Sequence, residues 1–117
     1  MSNRGYEKLI VWQKADALAI QVYLVTKKFP KEELFGLTAQ LRRAAVSVPT
    51  NIVEGTGRQN KKEVKQFVNI ALGSLAETEY LLQFCYKLEL LSAKEYMQLA
   101  NLRQEVGALL WGFYKSF

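Results

Sequence analysis

The stretch QLRRAAVSVPTNIVEGTGR, Gln40–Arg58, decides the fold. Its apolar residues recur at helical spacing. With 100° per residue and Val48 at zero, Leu37, Leu41, Ala44, Ile52 and Gly55 fall within about 40° of it. Gln40, Arg43, Ser47, Asn51, Glu54 and Arg58 form a polar stripe to one side, between about −60° and −140°. Ala39, Val46 and Val53 lie nearly opposite the core face, at roughly 140–180°. A helix apolar on two sides is normally buried on both, so the second apolar side predicts a neighbouring subunit, with the polar stripe along the seam. Ser47, Asn51 and Glu54 then read as structural polar groups, and Arg58, at the exposed end, as the functional member.

Pro49 sits inside this segment. It removes a backbone donor and crowds the carbonyl four residues earlier. It either kinks the helix, with Ser47 and Asn51 bonding freed backbone groups, or opens a new short helix at its first position. The expected form is a second helix kinked near Pro49.

Three more helices surround it. The first runs from about Glu7 to Lys28, with Leu9, Trp12, Ala15, Ala19, Val22 and Thr26 on one face and Leu18, Val25 and Phe29 widening it. Pro30 ends it. The second helix begins near Glu32 and Glu33, acids suited to a helix N-terminus, and Gly55 and Gly57 close it. Asn60 caps the third, with Glu63 in a capping-box position. That helix continues to about Glu89 and presents Val64, Phe67, Ala71, Leu75, Thr78, Leu82 and Cys85. Ser92 and Glu95 form the box of the fourth, whose apolar face is Tyr96, Leu99, Leu102, Val106, Leu109 and Phe113. No period-two run of β-branched residues competes. Short connections make successive helices antiparallel. The predicted fold is all-α: an up-down-up-down four-helix bundle, one domain over residues 1–117.

Further apolar residues exceed what one bundle buries: Ile10 and Val11 on the first helix, Ile70, Leu81, Phe84 and Leu88 on the third, and Leu109, Leu110, Trp111, Phe113, Tyr114 and Phe117 on the fourth. They too point to a homo-oligomer.

Composition excludes several kinds of chemistry. The 117 residues contain no histidine, so the commonest general base and metal ligand are missing. One cysteine, Cys85, cannot build a thiolate zinc site or an internal disulfide and fits a reducing compartment. No acidic cluster points to a carboxylate Mg²⁺ site. Ser47 has no lysine at helical spacing to activate it, and a carboxylate pair such as Glu54 with Glu77 would need a cleft between them. GTGR lacks the Gly-Lys-Ser/Thr ending of a phosphate loop. The chain reads as non-enzymatic, with no cofactor and no metal. It has neither a signal-peptide layout at its start nor an apolar run long enough to span a bilayer, so a cytoplasmic location is expected.

The net charge is +5. The bundle topology gathers Arg4, Lys8, Arg58, Lys61, Lys62, Lys65 and Lys115 at one end, against Glu7, Glu54 and Glu63. The other end is nearly balanced, with Lys27, Lys28, Lys31, Lys87 and Lys94 against Glu32, Glu33, Glu89 and Glu95. A basic excess at one end suits phosphate contacts. The candidate nucleic-acid-binding residues are Arg4, Lys8, Arg58, Lys61, Lys62 and Lys65, with Arg42 and Arg43 where they reach the surface. Trp12, Trp111 and Tyr114 are able to stack bases, but their helical spacing favours packing in the core or an interface.

The segments LIVWQKA (Leu9–Ala15), FPKEELFGLTAQLRRAAVSVPTNIVEGTGR (Phe29–Arg58) and ALGSLAETEYLL (Ala71–Leu82) resemble the four-helix-bundle proteins encoded by intervening sequences of 23S rRNA genes. The same fold family includes the accessory variability protein of diversity-generating retroelements, which this chain also resembles in size and basic character. Arg42, Arg43, Ser47, Asn51, Glu54, Gly55, Gly57 and Arg58 match the central motif; Thr56 stands where bulkier apolar residues are common. The resemblance implies a ring-like homopentamer and no enzymatic activity. For the retroelement branch it implies binding of RNA or DNA and of a reverse transcriptase. Two readings follow. One is a non-catalytic, homo-oligomeric accessory protein that binds nucleic acid; the other is an oligomeric protein-binding scaffold that does not touch it.

Overall fold

The computed structural model describes residues 5–117. Four helices carry the chain: α1 (Ile10–Thr26), α2 (Ala39–Thr56), α3 (Lys61–Lys87) and α4 (Ala93–Lys115). A 3₁₀ turn, Gly5–Lys8, precedes α1. Each helix packs on two others in the order α1–α2–α3–α4–α1, with α2 and α3 in the most extensive contact. Cross-helix pairs show the antiparallel sense. Ser47 meets Ser74 while Arg58, further along α2, meets Phe67, earlier on α3. Arg103 pairs with Glu79 and Lys65 lies over Tyr114, so α3 and α4 also run oppositely. The domain measures 43 × 28 × 21 Å, its long axis matching the roughly 40 Å of a 27-residue helix. No helix of the described residues is long and apolar enough to cross a membrane.

The core follows the predicted faces with a few shifts. Leu18, Leu41, Val48, Ile52, Leu82, Val106 and Leu110 are fully buried. Val11 and Leu81, expected outside, point inward, and Val68 takes the central place expected of Phe67, which is half-buried. Leu110 is interior as well, while Leu109 and Phe113 pack at its edge. Cys85 is fully enclosed. Burial, and then the Glu33 carboxylate, push its thiol up to about 11, so near neutral pH it is a protonated apolar filler rather than a nucleophile.

The chain between α1 and α2 differs from expectation. Helix α1 stops at Thr26, whose hydroxyl turns back onto the Val22 and Tyr23 carbonyls. A short 3₁₀ turn, Lys31–Glu33, and a wide turn, Leu34–Thr38, then lead into α2. Glu33 does act at a helix start, its carboxylate accepting from the Leu37 N–H at 3.4 Å. The helical path breaks at Gly36, however, with φ −107° and ψ −111°, where a Cβ would stand 3.2 Å from Glu33 Oε1. Phe35, beside it, is 91% exposed.

Helix α2 is continuous through Pro49, so no new helix begins at the proline. The side-chain donors nearby go to neighbours of the carbonyl that Pro49 frees: Thr50 Oγ1 donates to Val46 O, and Asn51 Nδ2 to Ser47 O and Oγ. Ser47 Oγ also lies 2.8 Å from Ser74 Oγ. The middle of the polar stripe thus follows the seam between α2 and α3 of one chain, and Gln40, Arg43, Glu54 and Arg58 are exposed. Gly55 is a close-approach residue rather than a cap: a Cβ there would stand 3.1 Å from Phe67 Cβ and 3.4 Å from the Val64 carbonyl. Gly57 caps α2 without left-handed dihedrals.

Two predicted caps at α3 and α4 are present. Asn60 Oδ1 accepts from Lys62 N–H at 2.8 Å, without a return bond from Glu63. Ser92 and Glu95 form the full reciprocal box. The end of α3 holds the one non-glycine residue with positive φ among the described residues, Glu89 at 62°. Leu90 N–H bonds to Cys85 O and Glu89 N–H to Tyr86 O, both at 2.9 Å. These are the two bonds of a Schellman motif, whose left-handed residue is normally glycine. Glu89→Gly is therefore expected to stabilise the protein by about 1 kcal/mol, read as a higher denaturation midpoint at unchanged slope.

Candidate nucleic-acid interface

The basic end is built where α2 stops and α3 starts. Gly57 ends α2, Arg58 N–H bonds to Gly55 O at 3.0 Å, and the Asn60 cap launches α3 with Lys61, Lys62 and Lys65 in its first turns. Lys61 and Lys62 are exposed, as is Lys8 on the 3₁₀ turn before α1. Lys65 is half-buried, its Nζ 4.6 Å from the centre of the Tyr114 ring; Lys115 Nζ is 5.8 Å from that of Trp111. Lys8, Lys61, Lys62, Lys65 and Lys115 make no ion pair among the described residues. Their charge is open to an outside anion.

Arg58 is more constrained. Its guanidinium lies over the Phe67 ring at 4.8 Å and 3.4 Å from Glu54 Oε2. The pair is exposed and of the favourable i,i+4 order, contributing only a few tenths of a kcal/mol. Beneath it opens an apolar recess of about 610 Å³, where Tyr6, Leu9, Val53, Val64, Phe113 and Phe117 meet at the bundle end.

The other two arginines fall elsewhere. Arg42 and Arg43 stand at the start of α2, roughly 24 Å along the axis from Arg58. Arg42 is a structural residue: Nε donates to Thr26 Oγ1 at 2.9 Å, Nη2 reaches the Tyr23 carbonyl at 3.5 Å, and the guanidinium covers the Tyr23 ring at 4.6 Å. Its charge closes the C-terminal end of α1, where carbonyls lack helical partners. Arg43 is exposed, without a partner among the described residues. Neither joins the basic end. Arg4 lies outside the described residues. Of the sequence-selected set, the fold brings together Lys8, Arg58, Lys61, Lys62 and Lys65.

It brings Trp111 and Tyr114, whose spacing favoured packing in the core or an interface, beside these lysines, and adds Gln66 and Asn69. Trp111 is half exposed, and its ring stacks on that of Tyr114 at 5.3 Å and 7°. Gln66 and Asn69 extend the Lys62–Lys65 face of α3 toward that pair. The available signal was the run Trp111–Lys115, which interleaves aromatics with a lysine at the end of α4. Trp12, by contrast, packs against the core and meets Tyr6 edge-on at 4.9 Å.

The Ser47 hydroxyl contacts another hydroxyl and an amide, neither of them a base. No group of three or more His, Cys, Asp or Glu side chains able to hold a metal is present among the described residues.

Comparison with known proteins agrees with the architecture. No curated protein matches the chain. Among solved structures, one with a TM-score of 0.81 is 26% identical and covers 91% of this chain and 99% of its own. It is a protein of unknown function from the S23 ribosomal protein family of Bacteroides thetaiotaomicron. A sequence profile described as 23S rRNA-intervening sequence protein matches residues 7–112, which takes in all of α1, α2 and α3 and most of α4. The chain belongs to the 23S rRNA-intervening sequence protein family.

Proposed function

We propose that the protein is a non-catalytic, homo-oligomeric accessory protein that binds RNA or DNA through its basic end. The observation that carries this reading is the group of lysines at one end, Lys8, Lys61, Lys62, Lys65 and Lys115, which make no ion pair among the described residues. Phosphates neutralised by such side chains release condensed counterions, and binding then weakens linearly in the logarithm of salt. The family's name, which ties its members to 23S rRNA genes, supports a nucleic-acid setting. A filter-binding series with structured RNA, single-stranded DNA and duplex DNA at rising salt tests it. Binding that falls steeply with salt is expected; no binding of any of the three at the lowest salt overturns it.

Self-association rests on a second observation. Between α1 and α2 an apolar groove of about 510 Å³ is lined by Ile20, Tyr23, Leu24, Val46, Pro49 and Val53. Ile20 is 51% exposed and Val46 38%. Rows of exposed apolar residues on adjacent helices are uncommon on monomers. Five copies in a ring is the assembly implied by the family resemblance. Ile20→Asp with Val46→Asp is expected to shift sedimentation to the monomer without loss of helical circular dichroism. A wild-type chain that sediments as a monomer at micromolar concentration refutes the oligomer.

The same groove and the protruding Phe35 support the second reading, docking of another polypeptide, such as a reverse transcriptase, without contact to nucleic acid. On that reading, charge reversal at Lys61, Lys62 and Lys65 leaves partner capture intact, and the groove substitutions abolish it.

A further inference from the structure

At the basic end, Trp111 and Tyr114 stand beside the lysines of the α3–α4 face. Trp111 and Tyr114 are one turn apart on α4, and their nearly parallel rings are offset-stacked. Across the helix pair, Lys62, Lys65, Gln66 and Asn69 occupy one face of α3, at i, i+3, i+4 and i+7. Together with Tyr114 these four line a shallow recess of about 180 Å³. No carboxylate is among its lining residues. Lys65 and Lys115 hold their ammonium groups against the two rings, in cation–π contacts.

An indole left half in water beside unpaired lysines is poorly suited to a core and to an apolar interface, because covering it would also desolvate the ammonium groups. It suits a ligand that offers a flat π-face and negative charge at close spacing. Unpaired nucleotides do so. In a duplex the base faces are already stacked, leaving phosphates and groove edges, and an acidic peptide has charge without the ring face. Amide side chains such as Gln66 and Asn69 can add hydrogen bonds to phosphates or base edges.

We propose that this α3–α4 face binds single-stranded nucleic acid, an unpaired base stacking on Trp111 while Lys62, Lys65 and Lys115 contact the flanking phosphates. The inference rests on the nucleic-acid reading above and narrows it to the single-stranded form.

Emission of the indole provides the test. In the full-length Trp12→Phe protein, with helical circular dichroism as the folding control, Trp111 is the sole tryptophan. Titration with a 12-nucleotide oligothymidylate is expected to quench it saturably, whereas heparin, a polyanion without bases, leaves it nearly unchanged. In the chain with Trp12 intact, Trp111→Ala is expected to weaken single-strand binding on the order of 5- to 150-fold, the range found for removing one base–aromatic stack. Duplex binding should change by less than about twofold. Trp111→Phe, which keeps a ring, should restore most of the single-strand affinity. Equal losses for single strand and duplex, or an unchanged single-strand affinity, overturn the stacking proposal and leave general nucleic-acid binding standing. An emission shift driven by protein concentration alone, without oligonucleotide, assigns Trp111 to contact between copies and also overturns it. Failure of all nucleic acids to bind removes the broader reading as well.

Discussion

Ile52→Ala is expected to destabilise the protein by about 2–5 kcal/mol, the range for truncating a fully buried aliphatic side chain to alanine. Ile52 is completely enclosed, on the core face of α2 together with Leu41, Ala44 and Val48. Its surroundings have little freedom to collapse into the gap. Gly55, one turn on, already sets α2 against α3 at a separation with no room for a Cβ, so α3 cannot move much closer. Thermal or urea denaturation checks it, with a fall in melting temperature on the order of 10–20 °C. The control is Val46→Ala on the opposite side of the same helix. Val46 is 38% exposed, and alanine is the better helix former, so the net change should stay within about 0.5 kcal/mol at protein concentrations where the chain is monomeric. A loss below about 1 kcal/mol for Ile52→Ala would mean that this face of α2 does not seat in the core.

The triple change Lys61→Gln, Lys62→Gln, Lys65→Gln is expected to lower nucleic-acid affinity on the order of 10²-fold near 0.1 M salt and to flatten the salt dependence. Each lost phosphate contact removes about 0.9 from the log–log slope on duplex DNA and about 0.7 on a single strand. Three contacts therefore predict a slope shallower by roughly 2–3. The protein should remain folded. These lysines lie in the first turns of α3, where positive charge opposes the helix dipole, so their removal is neutral or slightly stabilising. An unchanged slope would exclude them from the interface. Arg42→Gln should do the reverse. It severs the bond to Thr26 and the reach to the Tyr23 carbonyl, lowering stability by about 1–2 kcal/mol while leaving the salt slope as it was.

Wherever local chemistry governs, the fold was readable from the residues. Asn60 and Ser92 carry acceptors at the right distance from the first free N–H groups of α3 and α4. The 3.6-residue periodicity named most of the core because an amphipathic helix has only one way to turn its apolar side inward. Reading failed where two comparable local preferences compete. Glu32 and Glu33 signal a helix start, but Gly36 lowers the cost of leaving helical dihedrals, and the chain takes a wide turn before α2. Val11 and Val68 sit at the edge of their helical stripes, where a small rotation decides which side is inside.

By itself, the sequence determined four antiparallel helices, the caps of α3 and α4, the family, and a surplus of positive charge. Those properties depend on residue type and on spacing of a few positions, which a linear chain states outright. The tertiary structure decided which charges are free. Arg42 and Arg58 belong to the same motif, yet one is spent on the end of α1 and the other stands on the surface. Trp111 and Lys65 are 46 positions apart in sequence, yet both lie against Tyr114. Partners so distant in the chain are set by how helices rotate and pack against one another, and that follows from the sum of all core contacts rather than from any local stretch.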